Sequence, residues 1–306
     1  GALAIAGREE AERWGSERAH VTFVAMGRYG GRECSYASDA DVIALHEPVG
    51  GASDSEAAAS ATAIVNRVKK LLGSATSQLG IVVDLDLRPE GKNGPMSRTI
   101  ASHEEYTQRW ASTWERQAAV RARPIGSSDL DERARALFES MAYREVSESE
   151  VRDIRLLKAR MENERLPRGS EPARHVKLGP GGLSDVEWTI QLIQMRHGAR
   201  LPALRTPSTT QAIAVARDAG LLAAPDAEIL LNAWDLATRI RAGNTLATGR
   251  MNGVKLDVVP RDSAELSALA AILGYGSGGL TALEEDWLRA ARQARNVMER
   301  AFWEQQ

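Results

Sequence analysis

The amino-acid sequence predicts an α+β chain in two parts, a small α/β unit followed by an all-α helical bundle. Three observations predict it. Between residues 20 and 100, short β-branched apolar runs bounded by glycine or proline alternate with a helical stretch. After about residue 102 the periodic segments all repeat at helical spacing. The chain has 306 residues, 43% hydrophobic and 26% charged, enough for two cores of ordinary soluble composition. The units are expected to be 1–128 and 129–306.

The opening "ALAIAGREEAERWG" has helical character and reads as though cut from something longer. "HVTFVAMG", "DVIALHEP" and "IVVDLDLRP" each read as a strand. Between the second and third, "SDSEAAASATAIVNRVKKLLGS" has an acidic start, an alanine-rich body, and Lys69 and Lys70 ahead of Gly73, which predicts a helix. Helices are then expected over 102–123, 147–166, 184–198, 208–220, 226–246 and 280–303, with Ser147/Glu150 and Ser184/Glu187 spaced as capping boxes. Trp110, Trp114, Trp188, Trp234 and Trp287 read as core packing. The loop "PRGSEPARHVKLGPGGLS" is too basic and too rich in glycine to be mere spacing.

Several classes are disfavoured. Lysine and arginine number 39 against 41 acidic residues, a net charge of -2, which does not suit a nucleic-acid binder. A single cysteine, Cys34, allows no internal disulfide and points to a reducing, cytoplasmic setting. The five histidines lack metal-ligand spacing, no apolar run spans a bilayer, and no signal peptide opens the chain.

The chemistry gathers around "YASDADVIAL". In a strand, Asp39 and Asp41 project from one side, and close carboxylates repel unless a cation lies between them. Mg²⁺ suits such hard oxygens, with phosphate oxygens completing the shell. Taken alone, an Asp-x-Asp is more often an exposed pair at a strand edge. Upstream, "MGRYGG" places Gly27, Gly30 and Gly31 after a strand, where backbone N–H groups can approach a phosphate. The spacing is neither that of a Walker A loop nor that of a dinucleotide fingerprint. Ser38 adjoins the first aspartate and reads either as a phosphate contact or as a turn residue. Downstream, Asp84, Asp86 and Arg88 share a strand face by alternation, so either aspartate can supply a third carboxylate for two ions. Arg88 and Lys92 are candidate phosphate contacts, or parts of a solvated turn.

The blocks "MGRYGGRECSYASDADVIAL", "DLDLRPEGKNGPMSRT", "WASTWERQAAVRARPI" and "HVKLGPGGLSDVEWTIQLIQMRHG" resemble, in order, the motifs of glutamine synthetase adenylyltransferases, members of the nucleotidyltransferase superfamily related to DNA polymerase β. The resemblance runs from about residue 20 to the end. It is stronger to the C-terminal, AMP-adding unit of that bifunctional family, through "GGLSDVEW", "LRTPST" and "LATRIR", and its style is actinobacterial. An end at "NVMERAFWEQQ" would suit a natural C-terminus. The resemblance implies a polymerase β-like catalytic unit that uses ATP and two Mg²⁺ to adenylylate a tyrosine of glutamine synthetase. It also implies PII and glutamine as regulators acting through the full-length protein. It assigns Asp39, Asp41 and Asp84 as catalytic metal ligands, selecting Asp84 over Asp86. Gly27, Gly30, Gly31, Ser38, Arg88, Lys92 and Lys177 become nucleotide-binding candidates. Lys177, Asp185 and Glu187 match a family block expected to face the active site across the unit junction, Glu187 also being a capping candidate. Rival readings are the phosphate-dependent removal of AMP by the homologous unit, a catalytically silent regulatory module, and a helical scaffold that leaves the carboxylates unexplained.

Overall fold

The structure is a computed structural model that describes residues 1–36, 38–73, 80–251, 253–276 and 279–304. It divides into two compact units, the first comprising Gly1–Cys34 and Ser38–Arg144, the second built on the residues from Glu145 onward.

The first unit is organised by a hairpin of β1 (Ala19–Ala25) and β2 (Ala40–Pro48), antiparallel from Ala19↔Pro48 to Ala25↔Val42. β5 (Arg123–Pro124) flanks β1. On the other edge of β2, β3 (Val83–Asp84) pairs in parallel at Ala40 and Asp41, and β4 (Ser97–Thr99) pairs in parallel at Ala44 to His46. β3 and β4 therefore follow one line along β2, interrupted by residues 85–96. One face of the sheet is covered by α1 (Ala2–Trp14) and α3 (Asp54–Leu72), with Ala6, Ile64, Val65 and Val68 packed on Phe23, Val42 and Ala44. The intervening Ile43 lies among Leu87, His103, Phe138 and Met141 on the opposite side. β2 is thus buried on both faces, which is why "VIAL" runs without polar alternation. α3 starts at a complete capping box, Ser53 with Glu56.

The expected boundary at 128/129 falls inside the first unit. α6 (Asp129–Ala142) is capped by Ser128, and the buried Asp131 carboxylate in its first turn accepts bonds from Thr22 on β1, from Gly126 N–H (3.1 Å) and from Ser128. Those bonds tie α6 to the sheet, and the units part at 144/145 instead. The helix expected over 102–123 is two helices, α4 (Ile100–Arg109) and α5 (Thr113–Ala119), separated by a capping box at Ser112/Glu115. The break leaves Trp110 and Trp114 exposed, 62% and 41%, so the core reading fails for both. It holds for Trp234 and Trp287, which are buried, while Trp188 is half-buried with its ring edge-on to Phe302.

His103 on α4 is buried against the Phe138 ring, 5.2 Å between centroids, and burial pushes its pKa down to about 4. The folded chain keeps this imidazole neutral, whereas the unfolded chain protonates it below about 6.5. Acid therefore favours unfolding across the window from 6.5 to 4, and the loss reaches about 2 kcal/mol by pH 5. Urea melts at pH 7 and pH 5 should show this loss in the parent, and a smaller one in His103→Leu. An equal loss in both would mean that His103 is not responsible.

The second unit contains α7 (Glu148–Glu164), α8 (Leu183–His197), α9 (Thr209–Asp218), α10 (Ala224–Thr248), α11 (Ser263–Ile272) and α12 (Gly279–Met298). Its core draws Val186, Ile190 and Ile193 from α8, Leu230, Ala237 and Ile240 from α10, and Leu283, Ala290 and Val297 from α12. The Ser147/Glu150 capping box is formed. The Ser184/Glu187 box is not, because α8 starts a residue earlier behind Gly182 and Ser184 lies within its first turn. Among the described residues, no helix is long and apolar enough to cross a membrane.

Candidate active site

β1 ends at Ala25, and the next N–H, that of Met26, donates to Asp41 O at 2.9 Å. The chain then makes a single helical turn, α2 (Gly27–Gly30), entered at Gly27 with φ +51. A side chain is doubly disfavoured there, since L-residues avoid that φ and a Cβ would lie 2.9 Å from Asp41 Oδ2. Gly27 is therefore the wall against which the half-buried Asp41 carboxylate rests.

Asp41 and Asp84 are Cα partners in the parallel β2–β3 ladder, so they project on one face of the sheet. Asp84 Oδ1 accepts the N–H of Asp86 at 2.6 Å. That bond turns the chain and ends β3 after two residues, so the strand expected through Pro89 is far shorter. The alternation expected to carry Asp86 and Arg88 on Asp84's face is accordingly broken. Asp86 is exposed and pairs with Lys92 at 3.3 Å, with Arg88 at 3.8 Å. Arg88 is buried and spends its donors on Leu85 O (2.9 Å) and Gly94 O (3.2 Å), which closes the loop that Lys92 rides on. Asp39 is exposed and precedes β2 rather than lying in it, so strand alternation does not aim it. Ser38 bonds the Cys34 thiol, whose pKa burial pushes up. Gly30 and Gly31 are buried, and a Cβ on Gly30 would lie 1.8 Å from Arg121 O, so close backbone packing explains that glycine.

Asp41, Asp84 and Gly27 are thus brought together in the first unit, with Asp39 and Ser38 on the lead-in. Lys177 belongs to the second unit, where it is exposed. Asp185 is nearly solvent-free and ties that unit together: it accepts from Lys158 Nζ (2.6 Å), Arg295 (3.1 Å) and Gly181 N–H (2.7 Å). The basic, glycine-rich loop is held within its own unit as well, by Trp287 Nε1 on Ala173 O and by Val176 N–H on Asp257 O.

Among the described residues, no three His, Cys, Asp or Glu side chains are gathered closely enough to grip an ion. The donors nevertheless fit a hard divalent cation in type, because Mg²⁺ takes one or two carboxylates and leaves its remaining positions to water and phosphate. Asp41 and Asp84 supply that pair from rigid strands. Sequence reasoning missed Arg121 and Arg123, which bond the carbonyls of the glycine turn. The only signal was their alternation in "VRARP", beside a two-residue strand.

A mixed sheet that presents carboxylates from neighbouring strands beside a glycine turn is the architecture of a nucleotidyltransferase-type unit. A family model described as glutamate-ammonia ligase adenylyltransferase matches residues 2–138, and one described as GlnD PII-uridylyltransferase matches residues 155–302. The chain is 45% identical over 296 residues to the bifunctional glutamine synthetase adenylyltransferase/adenylyl-removing enzyme of Streptomyces coelicolor, covering 95% of this chain and 29% of that protein. It is 46% identical to the enzyme of that name from Bifidobacterium longum subsp. infantis (94% and 27%), and 40% identical to that from Mycolicibacterium smegmatis (93% and 28%). The chain belongs to the glutamine synthetase adenylyltransferase/adenylyl-removing family, and spans less than a third of the length of these relatives.

Proposed function

We propose that this chain transfers AMP from ATP to a tyrosine of glutamine synthetase and releases pyrophosphate, thereby controlling nitrogen assimilation in the cytoplasm. The observation that carries the reading is the in-register pair Asp41 and Asp84, set beside the Gly27 turn. Asp39, Asp41 and Asp84 are the residues to hold the divalent ions, two Mg²⁺ by preference, which would bind the triphosphate and offset the charge that develops on the leaving group. The tyrosine oxygen attacks the α-phosphorus in line, the new P–O bond forms as the bond to the bridging oxygen breaks, and the phenolic proton passes to Asp84. The turn at Gly27, Gly30 and Gly31, with Ser38 and Lys92, flanks the phosphates, and Arg88 holds the loop that carries Lys92. PII and glutamine act as regulators through the longer protein; the match of residues 155–302 to a PII-uridylyltransferase model supports the PII part.

The relatives' printed names carry both addition and removal of AMP, so the opposite direction is the second reading. One assay separates them. The chain, Mg²⁺ and α-labelled ATP should place label on unmodified glutamine synthetase. Label released as ADP only when adenylylated glutamine synthetase and phosphate are supplied would instead assign the removing direction. Label moved under neither condition, with Mg²⁺ and ATP not bound in calorimetry, would leave a silent regulatory module.

A further inference from the structure

We infer that Arg121 and Arg123 are positioning residues for the carboxylate of Asp41, acting through the glycine turn; the inference rests on the site proposed above. α2 is one turn long, and a helix that short has no internal stability. Its own backbone meets Gly27 O and Tyr29 O with one N–H each, from Gly31 and Arg32 at 3.2 Å. Further donors, including one to Gly30 O, come from a segment about ninety residues further along the chain. Arg121 Nε donates to Gly27 O at 3.0 Å, while its Nη2 pairs with Glu33 Oε2 at 2.6 Å. Arg123 Nε donates to Gly30 O at 2.8 Å and its Nη2 to Tyr29 O at 3.1 Å, with the guanidinium 5.9 Å from the centre of the Tyr29 ring. The Arg121 side chain is 4% exposed, so water is a poor substitute for its bonds. Glu33 O is held in turn by Arg28 Nε at 2.9 Å, which fixes the exit of the turn.

The clamp reaches the chemistry through one residue. Gly27 carries the carbonyl that Arg121 holds, and its Cα faces Asp41 Oδ2 so closely that even a methyl group would not fit. Met26, one residue back, is bonded to the backbone of Asp41. A shift of the turn therefore changes the space open to the Asp41 carboxylate, while the hairpin register that carries its backbone stays as it is. The fork of arginine matters here. A lysine in place of Arg121 keeps a charge for Glu33 but is a single point donor, and cannot hold Glu33 and the Gly27 carbonyl in the same fixed geometry.

The probe is Mn²⁺ binding by electron paramagnetic resonance, with a non-hydrolysable ATP analogue present, on the full chain. Arg121→Lys is expected to melt close to the parent yet bind Mn²⁺ about 10- to 100-fold more weakly, the usual cost of losing the group that orients a ligand. Arg123→Gln, which leaves the Arg121–Glu33 pair intact, should weaken binding in the same direction and speed amide exchange at Gly30 and Gly31. Parent-like Mn²⁺ affinity in both variants overturns the positioning role, whatever happens to their melting temperatures. A parent chain that binds no Mn²⁺ with the analogue overturns the site itself, and the positioning role with it.

Discussion

Asp39→Asn combined with Asp41→Asn should lower AMP transfer to glutamine synthetase by at least about a thousandfold, because charge stabilisation worth several kcal/mol is lost. The substitution is isosteric, and the melting temperature should hold or rise. Asp41 faces Asp84 across the ladder, and removing one of two like charges relieves repulsion between them when melts are run without a divalent cation. Initial rates of label incorporation, with thermal melts alongside, measure both effects. The companion variant Asp86→Asn discriminates between the two downstream carboxylates. Asp86 is exposed and engaged with Lys92, an interaction of the kind worth roughly 0–1 kcal/mol, so its loss should change the rate by only about twofold. A double variant that still works at the parent rate would refute the assignment.

The largest expected loss of stability lies in the second unit. Asp185→Ala removes the carboxylate that satisfies Lys158, itself only 1% exposed, together with Arg295 and the Gly181 N–H. Lys158 would be left with Ser184 at 3.4 Å and with Glu162 at 3.1 Å, a carboxylate it shares with Arg295, and the under-compensated buried charge should cost about 3–5 kcal/mol. Urea titration of the second-unit transition measures it. Lys158→Met with Asp185→Leu should recover much of the loss, since replacing both partners of a buried pair by apolar groups is frequently neutral. A single variant that melts like the parent would show that Asp185 does not tie the unit together. Resemblance assigned Asp185 to a family block, and the structure shows why an aspartate at this position needs no substrate to explain it.

Local signals were legible wherever they decide the outcome locally. The apolar runs of β1 and β2, the acidic start of α3, and the Ser147/Glu150 box all became the expected elements. The Ser184/Glu187 spacing misled because the Ser184 N–H, which a capping box would hand to the Glu187 carboxylate, is satisfied by Lys177 O, as that of Leu183 is by Val176 O, bonds that the folded loop provides. β3 was overextended because Asp84 bonds its own chain two residues on. β4 and β5 were passed over, being three and two residues long, below the reach of any periodicity. So were α6 and α11, the former assigned to the wrong side of the boundary, since its tie through Asp131 to Thr22 spans 109 positions. In the site, the acidic residues stood out by type and spacing, and Gly27 by its place after a strand. The uses of Arg88 and Arg121 did not, because an arginine that binds carbonyls reads in one dimension like an arginine awaiting a phosphate.

The interruption between β3 and β4 has a consequence for how such a protein can diversify. Both ends of residues 85–96 are fastened to β2, at Asp41 and at Ala44, so the stems of the excursion are held roughly 10 Å apart by the sheet. Lengthening such a closed loop costs little, about 0.6 kcal/mol for each doubling. The segment therefore behaves as an exchangeable cassette. Its tip can be rewritten for a different acceptor while the aspartate at its root stays anchored to the ladder.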